Sequence, residues 1–299
     1  MKLRIGTRGS ELALVQTNWV ASELRAAHPD IEIDVQVIKT KGDIIANVPL
    51  HKIGDKGLFV KEIEDALLDG RIDLSVNSMK DMPAVLPDGL VLSYCPRRED
   101  ARDVLVTKHE ISNLDGLPNG ATIGTGSKRR SALLRRARAD INVVDIRGNV
   151  QTRIDKIEKD NLDGVVIAMA GVKRLGFCDE KFTQLPLSVD EMVPAPGQGI
   201  LALEIREGDE RMHDLLADLR DDEASLQAQI ERQFLFYIEG GCHAPTGAYA
   251  QIDGEDIVLT GLFGTDERLV EKQARCRIGE HENVGKALAL EIKRELANG

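Results

Sequence analysis

Apolar positions along the chain follow two rhythms that alternate from the N-terminus onward. Residues 2–6 and 31–37 switch between apolar and polar with a period of two, which predicts strands with one buried face. Between them, residues 11–27 place Leu12, Val15, Trp19 and Val20 on one face of a helix. A second helix is predicted over 61–68, stopped by Gly70, and a strand over 72–76. The pattern then restarts with a strand at 121–125, a helix at 128–139, a strand at 143–146, a helix at 150–159 and a strand at 165–169. This is the grammar of a sheet flanked by helices, written twice. The last third differs, with a helix over 224–238, strands over 247–252, 257–263 and 269–278, and a closing helix over 284–297. That tail reads as a small α+β domain. Stretches at 96–100, 194–199 and 218–223, rich in proline, glycine or charge, mark candidate boundaries.

With 299 residues, 42% of them hydrophobic, the chain can build cores for two or three domains. The charged and apolar alternation at Met1 to Gly6 is unlike a secretion signal, and no apolar run reaches membrane-spanning length, so a soluble cytoplasmic protein is expected. Cys95, Cys178, Cys242 and Cys276 lie far apart without metal-ligand spacing, so neither a zinc site nor a disulfide framework is expected. A formal net charge of −11 and only 3% aromatic residues argue against nucleic acid or an anionic membrane as partner. The charge is uneven, however. From Lys128 to Arg153 eight cations face two anions, Asp140 and Asp145, which points to a local site for an anionic ligand.

Candidate chemistry collects on loops. Gly6-Thr7-Arg8-Gly9-Ser10 and Gly124-Thr125-Gly126-Ser127-Lys128 each follow a predicted strand and open a predicted helix, with Ser10 and Ser127 as N-caps. Helix starts of this kind attract anions, and basic side chains stand beside both. Asp81, in Ser78-Met79-Lys80-Asp81-Met82-Pro83, follows a strand end, where α/β sheets carry their sites; a carboxylate there can accept N–H bonds or stabilise a developing cation, or simply pair with Lys80. Lys56 sits on the glycine-flexed segment Gly54 to Phe59, which reads as a lid or a plain turn. Cys242 lies between a glycine pair and a proline in Glu239-Gly240-Gly241-Cys242-His243-Ala244-Pro245, a shaped loop where a thiol can serve as a covalent anchor.

These stretches, with Lys56-Gly57-Leu58-Phe59, Arg147-Gly148-Asn149-Val150-Gln151-Thr152-Arg153 and Pro194-Ala195-Pro196-Gly197-Gln198-Gly199, give the whole chain its resemblance to the porphobilinogen deaminase (hydroxymethylbilane synthase) family. The resemblance implies an α/β fold of two doubly wound, periplasmic-binding-protein-like domains plus a small C-terminal α+β domain. Domain 1 would take 1–99 and 200–217, domain 2 100–199 and domain 3 218–299. It also implies a transferase of tetrapyrrole biosynthesis that joins four porphobilinogen molecules head to tail, releasing ammonia, to give 1-hydroxymethylbilane. The cofactor would be a dipyrromethane bound as a thioether to Cys242, and Asp81 the catalytic residue, with no metal. Cofactor contacts would come from Lys80, Asp81, Ser127, Arg129, Arg130 and Arg147, and substrate contacts from Arg8, Ser10, Lys56, Thr125, Arg147 and Arg153. The porphobilinogen-binding protein would act as a monomer. Asn77, Gly126, Lys128 and Thr246 stand where the family often has His, Ser, Leu and Ile.

Two other classes compete. A solute-binding or sensor protein would share a bilobed plan and an anion-lined cleft, but it would not need Cys242 on a glycine loop, and a periplasmic one would need an export signal, which Met1 to Gly6 does not resemble. A cysteine hydrolase would use His243 as base, yet adjacent residues seldom face each other and no orienting third group is apparent.

Overall fold

Residues 2–40, 60–238, 244–265 and 268–298 are described by the structure, a computed structural model. Strand β1 (Lys2–Thr7) leads into helix α1 (Glu11–Ala27), followed by β2 (Glu32–Val37), α2 (Lys61–Leu68), β3 (Leu74–Ser78) and β4 (Leu90–Leu92). The chain continues through β5 (Asp103–Thr107), β6 (Thr122–Gly124), α3 (Lys128–Ala137), β7 (Asn142–Val144), α4 (Val150–Lys159), β8 (Gly164–Ala168), α5 (Met169–Arg174) and β9 (Thr183–Pro186). It then forms β10 (Leu201–Arg206), α6 (Glu210–Leu216), α7 (Asp222–Ile238), β11 (Thr246–Asp253), β12 (Asp256–Gly264), β13 (Leu269–Arg277) and α8 (Val284–Ala297).

Helices expected at 11–27, 61–68, 150–159 and 284–297 have those bounds. The helix expected over 128–139 stops at Ala137, because Arg138 turns to extended geometry and its guanidinium caps the carbonyls of Leu114 and Leu117 at 3.0 and 2.9 Å. The strand expected over 72–76 begins only at Leu74. Asp73 is occupied in holding Arg4, whose backbone N–H and guanidinium both donate to its carboxylate. Strands β4, β5, β9 and β10 and helices α5 and α6 went unpredicted.

Two compact units result, one of Met1–Glu99 with Gly199–Gln229, the other of Asp100–Gln198 with Ile230–Gly299. In the first, the sheet order is β2-β1-β3-β10-β4, with β1 parallel to β2 and β3 and with β10 antiparallel to β3 and β4. The second repeats the plan as β7-β6-β8-β5-β9, where β5 is the antiparallel strand. Alternation along each strand sends side chains to opposite faces. Leu201, Leu203 and Ile205 join Val20, Leu24 and Leu216 on one face of the first sheet, while Ile200 and Ala202 join Ala224 and Ala228 on the other. In the second, Leu105 and Val166 meet Leu133 and Leu134, and Val104 and Val165 meet Ile154 and Ile157.

The C-terminal sheet is an antiparallel meander, β11-β12-β13, on which α8 packs through buried Leu288, Ala289 and Ile292. The expected fold class is therefore present: two mixed α/β sheets covered on both faces, and a small antiparallel sheet with helix. Among the described residues no helix is long and apolar enough to cross a membrane.

Candidate active site

In both α/β sheets the parallel strands end in turns that open helices, and the site residues stand there. In the first unit, Thr7 ends β1 and Ser10 caps α1, its Oγ accepting from the Ala13 N–H at 3.4 Å. After β3, the single 3-10 turn Met79–Asp81 buries Met79 and leaves Asp81 exposed. These two turns line one small open pocket of about 50 Å³ that includes Arg8, Ser10, Gln16, Asn77, Ser78 and Asp81. The sequence-predicted Arg8, Ser10 and Asp81 are thus brought together. Half-buried Lys80 shares the 3-10 turn. The pocket wall adds three residues that the sequence reading did not assign to the site as contacts. Gln16 donates to the Ser78 hydroxyl at 3.1 Å, and Asn77 donates to the Ser75 hydroxyl at 2.6 Å. Asn77 is fixed by its own strand: it lies two residues after Ser75 on the same face of β3, and that period-two spacing of polar residues is the signal that could have found it.

In the second unit, Ser127 caps α3 by accepting from the Arg130 N–H at 3.4 Å, and the buried Thr125 hydroxyl accepts from the Ser127 N–H at 3.3 Å. Capping fixes the first helical turn, and with it Arg129 and Arg130. Both are almost fully buried, and both reach Asp103 at the start of β5, which is fully buried. Arg129 donates from Nη1 to Asp103 Oδ2 at 2.7 Å and to the Val193 carbonyl at 2.6 Å. Arg130 donates to Asp103 Oδ1 from Nε at 3.0 Å and Nη2 at 2.7 Å, and to the Val166 carbonyl from Nη1 at 3.3 Å. Gln198 completes the carboxylate's shell, donating to Oδ1 at 2.9 Å and to the Ala101 carbonyl at 2.7 Å. Burial pushes the Asp103 carboxyl up, but the two guanidinium groups outweigh it and hold the group well below the ordinary carboxylate range. Burial likewise pushes the Arg129 guanidinium down, against the pull of Asp103.

The turn from β7 to α4 carries Arg147, and α4 itself carries Arg153. Asn149 caps α4, accepting from the Thr152 N–H at 2.8 Å. Half-buried Arg153 donates from Nε to the Gly148 carbonyl at 2.8 Å, and Arg147 is half-buried beside it in sequence. Gly126 faces this turn closely: a Cβ there would lie 2.8 Å from the Ile146 carbonyl oxygen, so glycine at this position admits the close approach. The local charge surplus is smaller than the segment alone suggests. Arg129 and Arg130 are matched to Asp103, and Arg136 to Glu271 at 2.7 Å, both acids from outside the segment, while Arg138 pairs with Asp140. Lys56 and Cys242, with His243, lie outside the described residues. Asp103 escaped the sequence reading, although an acid heading the apolar run Val104-Leu105-Val106 must find a cation once that run is buried.

The second unit thus carries buried arginines at a helix start, and the first an exposed carboxylate in a pocket with Arg8 and Ser10. Residues 3–214 match the family model for porphobilinogen deaminase, dipyromethane cofactor binding domain, and residues 225–294 match that for the porphobilinogen deaminase C-terminal domain. The chain is 48% identical to the porphobilinogen deaminase of Clostridioides difficile (strain 630), covering 100% of this chain and 99% of that one. It is 48% identical to that of Clostridium novyi (strain NT), over 99% and 100% of the two. Among solved structures, the periplasmic VFT2 domain of Bordetella pertussis BvgS aligns with 76% of this chain and 91% of its own length, at 17% identity and a TM-score of 0.41. With both family models together spanning nearly its full length, the chain belongs to the porphobilinogen deaminase family.

Proposed function

We propose that this chain joins four porphobilinogen molecules head to tail, releasing ammonia at each addition, and that water then frees 1-hydroxymethylbilane. The observation that carries the residue-level reading is the placement of exposed Asp81 in one pocket with Arg8 and Ser10. Loss of ammonia from the protonated aminomethyl group of the pyrrole leaves a cation, which the Asp81 carboxylate stabilises while accepting pyrrole N–H bonds and helping to move the proton lost on coupling. Each pyrrole brings an acetate and a propionate. Arg8, Lys80, Arg129, Arg130, Arg147 and Arg153 receive these carboxylates, since guanidinium forks match carboxylate geometry. Ser10, Lys56, Thr125 and Ser127 add secondary contacts.

A covalent dipyrromethane cofactor, when bound, would supply the primer for chain growth. The donor chemistry of the second unit fits such a polycarboxylate: Arg129 uses only Nη1 among the described residues, leaving the N–H groups of Nε and Nη2 for a ligand. Cys242 anchors it. Of the other cysteines, Cys95 is buried and burial raises the Cys276 thiol above its ordinary value, which leaves both poorly suited to attack. We assign the catalytic aspartate to domain 1 (1–99 and 200–217), the arginine-rich cofactor and substrate binding to domain 2 (100–199) and the anchoring cysteine to domain 3 (218–299). The protein works as a cytoplasmic monomer.

Intact-protein mass spectrometry tests the anchor. The purified protein should carry a covalent dipyrrole that is absent from Cys242→Ala; an adduct mapped by peptide digestion to Cys95, Cys178 or Cys276 refutes the assignment.

A further inference from the structure

The arginine pair of α3 is held by a cluster that carries one carboxylate against two guanidinium groups, deep in the second unit. Asp103 Oδ2 takes Arg129 and Oδ1 takes Arg130 twice, so one acid sets the planes of two adjacent forks. A carboxylate free to swivel would not do this. Gln198 prevents it: fully buried itself, it pins Oδ1 while its second N–H is spent on the Ala101 carbonyl. Gln198 belongs to Pro194-Ala195-Pro196-Gly197-Gln198-Gly199, a motif that neither substrate chemistry nor catalysis has otherwise employed, and its neighbour Gly197 is fixed in turn by a backbone N–H bond to buried Glu231 at 2.6 Å. The excess of one buried positive charge leaves the cluster short of an anion, a deficit that a ligand carboxylate relieves.

We propose that Asp103, locked by Gln198, is a positioning residue that presents Arg129 and Arg130 as one preformed receptor for a carboxylate of the pyrrole chain. This rests on the reading above that those arginines contact the cofactor. A preformed fork loses little freedom on binding, so the gain appears as affinity for the carboxylate rather than as a faster chemical step.

The test is a porphobilinogen titration of apo-protein produced in cells that cannot make porphobilinogen, with intact mass spectrometry reading the loaded fraction and a thermal melt reading the fold. Wild type is compared with Asp103→Asn, Asp103→Glu, Gln198→Leu, Arg129→Leu and Arg130→Leu. Gln198→Leu should keep the wild-type plateau of loading yet need at least tenfold more porphobilinogen to reach half of it. Asp103→Glu keeps the charge but moves it by one carbon–carbon bond, and should recover the melting temperature lost in Asp103→Asn without recovering the half-loading concentration. A purely structural role predicts the reverse pattern, a lower melt and plateau with an unchanged half-loading concentration, and overturns the proposal. So does wild-type half-loading in folded Asp103→Asn or, should that variant not fold, in Gln198→Leu. If Arg129→Leu and Arg130→Leu also load as wild type, the reading of the arginines fails as well, an outcome distinct from failure of the positioning role alone.

Discussion

The two α/β sheets share one plan and differ at one spot. In each, an antiparallel strand enters beside the third parallel strand, and its first residue faces that strand's end: Leu201 opposite Ser78 in the first sheet, Asp103 opposite Ala168 in the second. The helices that start nearby differ in the same sense. After the capping serine, the second and third helical positions are Leu12 and Ala13 in α1 but Arg129 and Arg130 in α3. One unit therefore keeps this corner apolar and opens a pocket onto Asp81, while the other builds a buried ionic cluster. The same topology is fitted for two jobs, the first to expose a carboxylate and the second to secure cations. Buried acids follow the contrast. Glu64 on α2, whose Oε1 has no hydrogen-bond partner among the described residues, is pushed up to about 7 by burial, whereas Asp103 is held down by its arginines.

The largest expected effect separates the two jobs. Asp81→Asn should slow ammonia release from porphobilinogen by roughly 10²- to 10⁴-fold, the usual range for removing a general acid or base, with little change in the thermal melt. Near-normal turnover in a fully loaded variant would erase the functional half of the contrast. Next, Leu201→Asp copies the second unit's acid into the first without its guanidinium partners, leaving a buried uncompensated charge. Urea unfolding should show a loss of about 3–5 kcal/mol, and a neutral result would mean that this corner of the first unit is not dry.

A third measurement uses pH. Glu64 binds its proton more tightly in the folded state, so stability should fall as pH rises from about 4.5 to about 7 and stay at the lower level above that. Glu64→Gln should flatten this slope; an unchanged slope assigns it to another group. Asp103 acts in the opposite direction, contributing stability above its ordinary carboxyl range that is lost in acid as it is forced to protonate. The smallest effect is also the most symmetric: Ser10→Ala and Ser127→Ala should each cost about 1 kcal/mol, because both hydroxyls cap a helix at the same 3.4 Å. A much larger loss at Ser127 would show that the cap also steadies the ionic cluster.

Helices with one apolar face were legible to the residue, as α1, α2, α4 and α8 show, because their period does not depend on a partner. Strands β5 and β10 were not. Both are buried on both faces, so Val104-Leu105-Val106 and Leu201-Ala202-Leu203 lack the alternation that marks a half-exposed strand. Short β4 and β9 are defined by pairing with those same strands and carry little signal of their own. Of the site, the capped turns and Asp81 could be read from local punctuation. The matching of Arg129 and Arg130 to Asp103 could not, since 26 and 27 residues of chain separate partners that the β6–β8 and β5–β8 pairings bring together.

Strand β10 has a further consequence, for the order in which the molecule can be made. It stands between β3 and β4 and bonds to both, yet it is encoded after the whole first stretch of the second unit. As the polypeptide emerges N-terminus first, β3 waits with an open hydrogen-bonding edge and β4 has no neighbour, while β5 to β9 already hold every strand their own sheet needs. The crossing back is tied by the Glu99 N–H to the Gly199 carbonyl at 3.1 Å, with Gly199 in the left-handed region at φ 89°. Nascent chains halted before residue 201 would therefore present a first sheet lacking the inner strand between β3 and β4, and the middle third of the gene would be the first to complete its α/β layer.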